Sequence, residues 1–161
     1  MKKETLIDFS EKDDVMNILE LLKRGGDINQ YEYGRSALHS AALSNAINAV
    51  KILIDNGINL DLQDKGSGAT ALHYCALYNR PEITNLILQK GGRLIVADNY
   101  GNQPLWTAVF NVKGKEERLP LVELLLKFGA NKNHKNLAGR SPLDFANQVG
   151  YAPLLEVLGK Y

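Results

Sequence analysis

One cysteine, Cys75, is all that the 161 residues contain, so no disulfide can close within the chain and a disulfide-stapled secreted scaffold is excluded. Neither charge sign dominates: 19 Lys plus Arg stand against 18 Asp plus Glu, a formal net charge of +1. A phosphate backbone or an anionic bilayer attracts a basic excess. None is present, which sets nucleic acid and membrane aside as partners. Long apolar runs are missing as well. The densest clusters, Leu121-Val122 and Leu124-Leu125-Leu126, fall far short of the ~18 residues that cross a bilayer. Asp8, Glu11, Asp13 and Asp14 interrupt the start, where a secretion signal needs an apolar stretch. The remaining composition, 45% hydrophobic and 23% charged, offers enough apolar surface to offset chain entropy. One domain in a reducing, cytoplasmic compartment is expected.

What is present is a period. Ser36-Ala37-Leu38-His39, Thr70-Ala71-Leu72-His73, Gln103-Pro104-Leu105-Trp106 and Ser141-Pro142-Leu143-Asp144 align, their leucines 34, 33 and 38 residues apart. A second landmark keeps the same phase: Leu53-Ile54-Asp55-Asn56-Gly57, Ile87-Leu88-Gln89-Lys90-Gly91 and Leu125-Leu126-Lys127-Phe128-Gly129, with Leu21-Leu22-Lys23-Arg24-Gly25 ahead of them. Ser36, Thr70 and Ser141 are good N-cap residues, and Pro104 and Pro142 suit a first helical position, where a missing N–H costs nothing. Val50, Leu53 and Ile54, then Ile83, Leu86 and Ile87, then Leu121, Val122 and Leu125 have helical spacing. Gly57, Gly91 and Gly129 close that second helix, and Gly34, Gly68, Gly101 and Gly139 mark a turn before the next cap. The unit is turn, helix, helix, turn.

These strings resemble the ankyrin repeat, a unit of about 33 residues with a β-turn and two helices. The resemblance covers nearly the whole chain and implies an all-α solenoid of helix-turn-helix units with short β-turn fingers. Residues 1–30 fit as an N-terminal cap, 31–63, 64–97 and 98–135 as full repeats, and 136–161 as a truncated C-terminal cap, together a complete small array. The cap departs from the pattern, with Glu4-Thr5-Leu6-Ile7 at the motif position and Phe9 for a small alanine. The repeat 98–135 carries an insertion at 113–117, Lys-Gly-Lys-Glu-Glu, expected to project as a charged loop.

Catalytic signatures do not accumulate. Gly66-Ser67-Gly68-Ala69-Thr70-Ala71 fits G-x-G-x-x-G/A, but a polar connector precedes it where a nucleotide fold needs a buried strand. Gly114-Lys115 is followed by Glu116, so there is no phosphate loop. Of the three histidines, His39, His73 and His134, the first two share one repeat position, where the resemblance implies a structural hydrogen bond. With a single cysteine, metal spacing is missing. No enzyme, cofactor, metal or small-molecule substrate is expected.

In ankyrin repeats the concave side is built from the turn tips and first helices. Carried onto this chain, the resemblance puts Tyr31, Tyr33, Arg35, Lys65, Asn99, Tyr100, Asn102 and Arg140 at the tips. Leu43, Leu77, Tyr78, Phe110 and Asn111 fall on the first helices, and Trp106 replaces the histidine of the motif. Aromatics make up only 7% of the chain, yet six of these positions are aromatic, and Tyr, Trp and Arg are the usual interface anchors. The expected function is a non-catalytic, monomeric module that recognises a protein partner through this face and inhibits or regulates it. The chain looks like small bacterial ankyrin proteins that serve as immunity proteins against a cognate toxin. The alternative is a scaffold bridging two proteins, with the 113–117 loop as its second surface.

Overall fold

Short polar side chains facing first-turn amides decide where the helices start. The computed structural model describes residues 4–161, so the first three residues of the 1–30 cap lie outside the described residues. Helices come in pairs: α1 (Leu6–Glu11) with α2 (Val15–Lys23), α3 (Ala37–Ser44) with α4 (Ile47–Asp55), and α5 (Ala71–Tyr78) with α6 (Pro81–Gln89). Next are α7 (Pro104–Phe110) with α8 (Leu119–Lys127) and α9 (Pro142–Val149) with α10 (Ala152–Gly159). At α9 the cap is reciprocal: Asp144 N–H donates to Ser141 Oγ at 3.1 Å and Ser141 N–H to Asp144 Oδ2 at 2.9 Å. At α3 and α5 histidine takes the carboxylate's place, Ser36 N–H donating to His39 Nδ1 at 3.2 Å and Thr70 N–H to His73 Nδ1 at 3.0 Å.

The odd-numbered helices pack side by side as an inner layer and the even-numbered ones as an outer layer. Inner faces are small. Ala41, Ala42, Cys75, Ala76 and Ala108 are buried, letting neighbouring helices approach closely. Between the layers, Leu38, Leu72 and Leu105 are sealed against Leu53, Ile83, Ile87, Leu121 and Leu125 in one continuous core. Such a stack gains stability chiefly from neighbour-on-neighbour burial.

Fingers join one repeat to the next. The first is a hairpin, β1 (Tyr31–Glu32) pairing antiparallel with β2 (Arg35–Ser36) in the register Tyr31↔Ser36 and Glu32↔Arg35. Each later finger bonds to its predecessor: Lys65 N–H to Gly34 O at 2.8 Å, Asn99 N–H to Ser67 O at 2.8 Å, and Leu137 N–H to Tyr100 O at 3.0 Å. That close approach requires glycine. A Cβ on Gly68 would lie 2.4 Å from Asn99 Oδ1 and one on Gly101 2.8 Å from the Leu137 nitrogen, and both residues have positive φ, +72° and +76°.

The structure adds to the sequence reading at three places. The N-terminal segment has a genuine first helix, because Thr5 and Asp8 form the capping box that the repeat motif does not supply. Phe9 is half-buried against the core. Asp13 and Asp14 form the turn between α1 and α2, where Asp14 caps α2. In the 113–117 insertion, Lys113, Lys115, Glu116 and Glu117 are all exposed, and Glu116–Arg118 winds into a 3-10 turn that leads directly into α8.

Candidate functional site

From α3 to α9 the inner helices present a floor almost without charge. α3, α5 and α7 contain no Asp, Glu, Lys or Arg, and α9 contains only Asp144, the cap residue. Above this floor two finger carboxylates, Asp64 and Asp98, are engaged by the backbone. Asp64 accepts from the amides of Gly66 (2.8 Å), Ser67 (2.6 Å) and Ala69 (3.2 Å). Burial pushes its pKa upward, but the hydrogen bonds from Ser67 and Gly66 outweigh that and hold it below the ordinary carboxylate value. Asp98 accepts from Tyr100 and Asn102, each at 2.9 Å. The finger cations are the groups presented outward: Lys65 and Arg140 are exposed and Arg35 is half-buried. Lys65 Nζ stands 4.2 Å from the Tyr31 ring centroid and Arg140 donates to Gln148.

Tyr33 is 73% exposed, Tyr100 68%, Tyr78 41% and Leu77 42%. Other positions named from the sequence are engaged internally. Tyr31 donates its hydroxyl to Gln63 O at 3.0 Å, and Asn111 turns back onto Thr107 O at 2.8 Å. Asn102 donates to Asp98 and accepts from Asn136 Nδ2 at 2.8 Å. Asn99 is exposed while its amide reaches Gly66 O at 3.0 Å. Leu43 is half-buried and its carbonyl accepts from Arg80 at 3.1 Å. Trp106, also half-buried, packs on Phe145 with ring centroids 5.7 Å apart, and Phe110 lies 5.2 Å from the same ring. Two recesses open here: about 250 Å³ between Ser67, Ala69, His73, Tyr74 and Tyr78, and about 220 Å³ around Phe110, Phe145 and Val149.

The histidines tie repeats together. His39 Nε2 lies 3.0 Å from Ala69 O and His73 Nε2 2.9 Å from Asn102 O. Since Nδ1 accepts a backbone N–H, the ring proton sits on Nε2 and donates to the next finger. Trp106 stands at the third such position, and His134 Nε2 reaches Gly101 O at 3.0 Å. Cys75 is fully buried, its thiol pushed up to about 12 by burial, which leaves it un-ionised and unreactive at neutral pH. Among the described residues no group of three or more His, Cys, Asp or Glu is arranged to hold a metal, and no helix is long and apolar enough to cross a membrane.

Several residues escaped the sequence reading. Asn45 (φ +60°) and Asn79 (φ +54°) end α3 and α5 in the left-handed conformation, as Gly150 ends α9; all three lie seven positions past the motif leucine, a signal that was available. Arg80 and Arg118 donate to the last carbonyls of the preceding inner helices, at Leu43 and Leu77, both at 3.1 Å. The insertion displaces Arg118 from the phase of Arg80, which hides the pattern. Phe145 went unnoticed because its ring partners belong to the previous repeat.

Comparison with known proteins agrees with this architecture. A family described as "Ankyrin repeats (3 copies)" matches residues 6–98 and again 59–136. The human Ankyrin repeat and SOCS box protein 6 is 31% identical over 136 residues, 83% of this chain and 31% of that protein. The mouse B-cell lymphoma 3 protein homolog is 32% identical over 130 residues, 78% of this chain and 28% of that protein. An ankyrin repeat protein of Acanthamoeba polyphaga mimivirus is 31% identical over 111 residues, 68% and 14% respectively. The chain thus spans about a third or less of the length of these relatives. Stacked helix pairs, linked fingers and a match over most of the sequence establish that this chain belongs to the ankyrin-repeat family.

Proposed function

We propose that the chain is a non-catalytic binding module that recognises a protein partner through its concave face and regulates it by occupying it. Ankyrin repeats generally mediate protein–protein interaction, and one observation carries the reading to this face. Eleven large hydrophobic side chains are exposed among the described residues, and seven of them (Tyr33, Leu77, Tyr78, Tyr100, Phe110, Leu137 and Val149) sit on the fingers and inner helices. Apolar exposure concentrated on one side marks an interaction surface. The inhibitory form of this reading, an immunity protein occluding a cognate toxin, predicts that co-expression relieves the partner's toxicity. A scaffold reading needs a second surface. Ile95 and Phe128, exposed around one recess where outer helices end, favour it alongside the 113–117 loop.

The test is affinity of purified variants for the partner recovered from the native host. Tyr78→Ala and Tyr100→Ala should each weaken binding at least about tenfold, as truncation of a buried anchor does, with unchanged melting temperature. Lys51→Glu on the outer layer should leave affinity unaltered. Normal binding by both tyrosine variants, or loss in Lys51→Glu alone, contradicts the proposal.

A further inference from the structure

The recess between the second and third fingers narrows the class of partner, and this inference rests on the binding reading above. Ser67 and Ala69 of one finger, His73, Tyr74 and Tyr78 of α5, and Asp98 of the next finger line about 250 Å³. Sites for drug-sized ligands occupy roughly 300–1,000 Å³, whereas a dry apolar cavity of roughly 150 Å³ already accepts benzene. The recess has room for one long side chain and for little more. Part of its wall is aromatic: the Tyr74 and Tyr78 ring centroids lie 6.5 Å apart, and Tyr78 is 41% exposed. Tyr74 is steadied by an edge contact with the His39 ring at 5.3 Å.

Among the described residues the lining carries one formal charge, the half-buried carboxylate of Asp98. Its Oδ1 accepts the amides of Tyr100 and Asn102, while Oδ2 takes the Asn102 side-chain amide at 3.2 Å; a carboxylate oxygen has room for a second donor. Ser67 Oγ gives its proton to Asp64 Oδ2 at 2.7 Å and so faces other groups as an acceptor. Cations close by are engaged elsewhere: Lys65 Nζ lies 4.2 Å from the Tyr31 ring centroid, and Arg118 donates to Leu77 O at the end of α5 at 3.1 Å. Burial raises the Tyr74 pKa, Asp64 adds to that, and Arg35 on the first finger opposes less strongly. Burial lowers the His73 pKa, while the Asn102 carbonyl, Asp98 and Asp64 favour its charged form. Two rings of the wall thus stand in a field set by carboxylates. Ring faces and a carboxylate attract the same class of group, an organic cation.

We infer that this recess receives an arginine side chain of the protein partner, its guanidinium held by the Tyr74 and Tyr78 rings and the Asp98 carboxylate. A guanidinium is planar, stacks on aromatic rings, sheds water more readily than an ammonium, and has donors for both Asp98 Oδ2 and Ser67 Oγ. Two end-capped seven-residue peptides test this, each with Ser-Gly-Ser on both sides of a central residue, arginine in one and its uncharged isostere citrulline in the other. They are titrated into the whole chain while its amide resonances are followed by NMR. The arginine peptide should shift the amides of Ser67, Asp98 and Thr107 saturably and bind at least about fivefold more tightly than the citrulline peptide. Asp98→Asn and Tyr78→Leu should each weaken the arginine peptide by a similar factor; the second alters a partly exposed ring and so keeps the test open if the first disturbs the finger that Asp98 braces.

Equal binding of the citrulline peptide, shifts confined to the outer helices, no saturation with the arginine peptide, or unaltered binding by Tyr78→Leu overturns the inference. So does a concentration-dependent dimer in sedimentation that Tyr78→Leu abolishes, since the occupant is then a second copy. Failure of the recess is distinguishable from failure of the concave-face reading, because Tyr100 lies outside the lining: if Tyr100→Ala still weakens the native partner, only the arginine site falls.

Discussion

At the scale of single residues, the histidines of the inner helices show how burial and function separate. Burial disfavours the charged imidazole and holds both His39 and His73 below their ordinary pKa, despite the carbonyls of Ala69 and Asn102 that favour protonation. The unfolded chain takes up these protons near pH ~6.5; the native chain does not. Stability from this source is fully present above that pH and declines as pH falls through it. The urea midpoint should therefore be lower at pH 5.5 than at pH 7.5, and a His39→Gln, His73→Gln variant, though less stable throughout, should have a flatter profile in this window. An unchanged slope would show that the rings do not resist protonation. Asp64 does not enter this window, because its depressed pKa acts only below the carboxylate range. The structural role of these rings was legible from their shared repeat position. Asn102 and Tyr31, equally visible in the sequence, are engaged by residues a repeat away in sequence, Asn136 and Gln63, which no local pattern announces.

At the scale of elements, helix ends explain both what the sequence made plain and what it hid. Ser141 and Asp144 cap α9 from within a four-residue string, so the start of that helix is written locally. The start of α4 is not. Its N-cap is Ala46, which has no side-chain acceptor; Asp13, from the turn between α1 and α2, supplies it across the repeat boundary. Asp13 Oδ1 accepts from Ala49 N–H at 2.6 Å and Oδ2 from Asn48 Nδ2 at 2.8 Å. Its backbone is left-handed at φ +58°, which Asp and Asn tolerate better than other side chains do. Losing an N-cap acceptor costs ~1 kcal/mol, or ~2–4 °C in melting temperature for a chain of this size. Asp13→Ala should show that drop by calorimetry while Asp13→Asn, which keeps one carbonyl acceptor and the left-handed backbone, stays closer to the parent. Equal losses in the two variants would assign the cost to something other than the cap.

At the scale of the whole molecule, repetition makes the architecture readable, because each leucine, cap and glycine recurs near a fixed period and every copy confirms the others. The binding surface is less legible. Its positions follow from the repeat phase, but which of them face solvent depends on packing between repeats: Tyr100 stands clear while Asn111 folds back on its own helix. Phe145 and Val149, which with Phe110 line one recess, come together with it only once two repeats are stacked. The central claim is that partners meet the fingers and inner helices rather than the outer layer. Amide hydrogen exchange of the chain, free and saturated with its native partner, tests it most directly. The account predicts slowed exchange in the finger segments 31–35, 65–69 and 99–102 and in α5 and α7, with α2, α4, α6 and α8 unchanged; protection confined to those outer helices would contradict it.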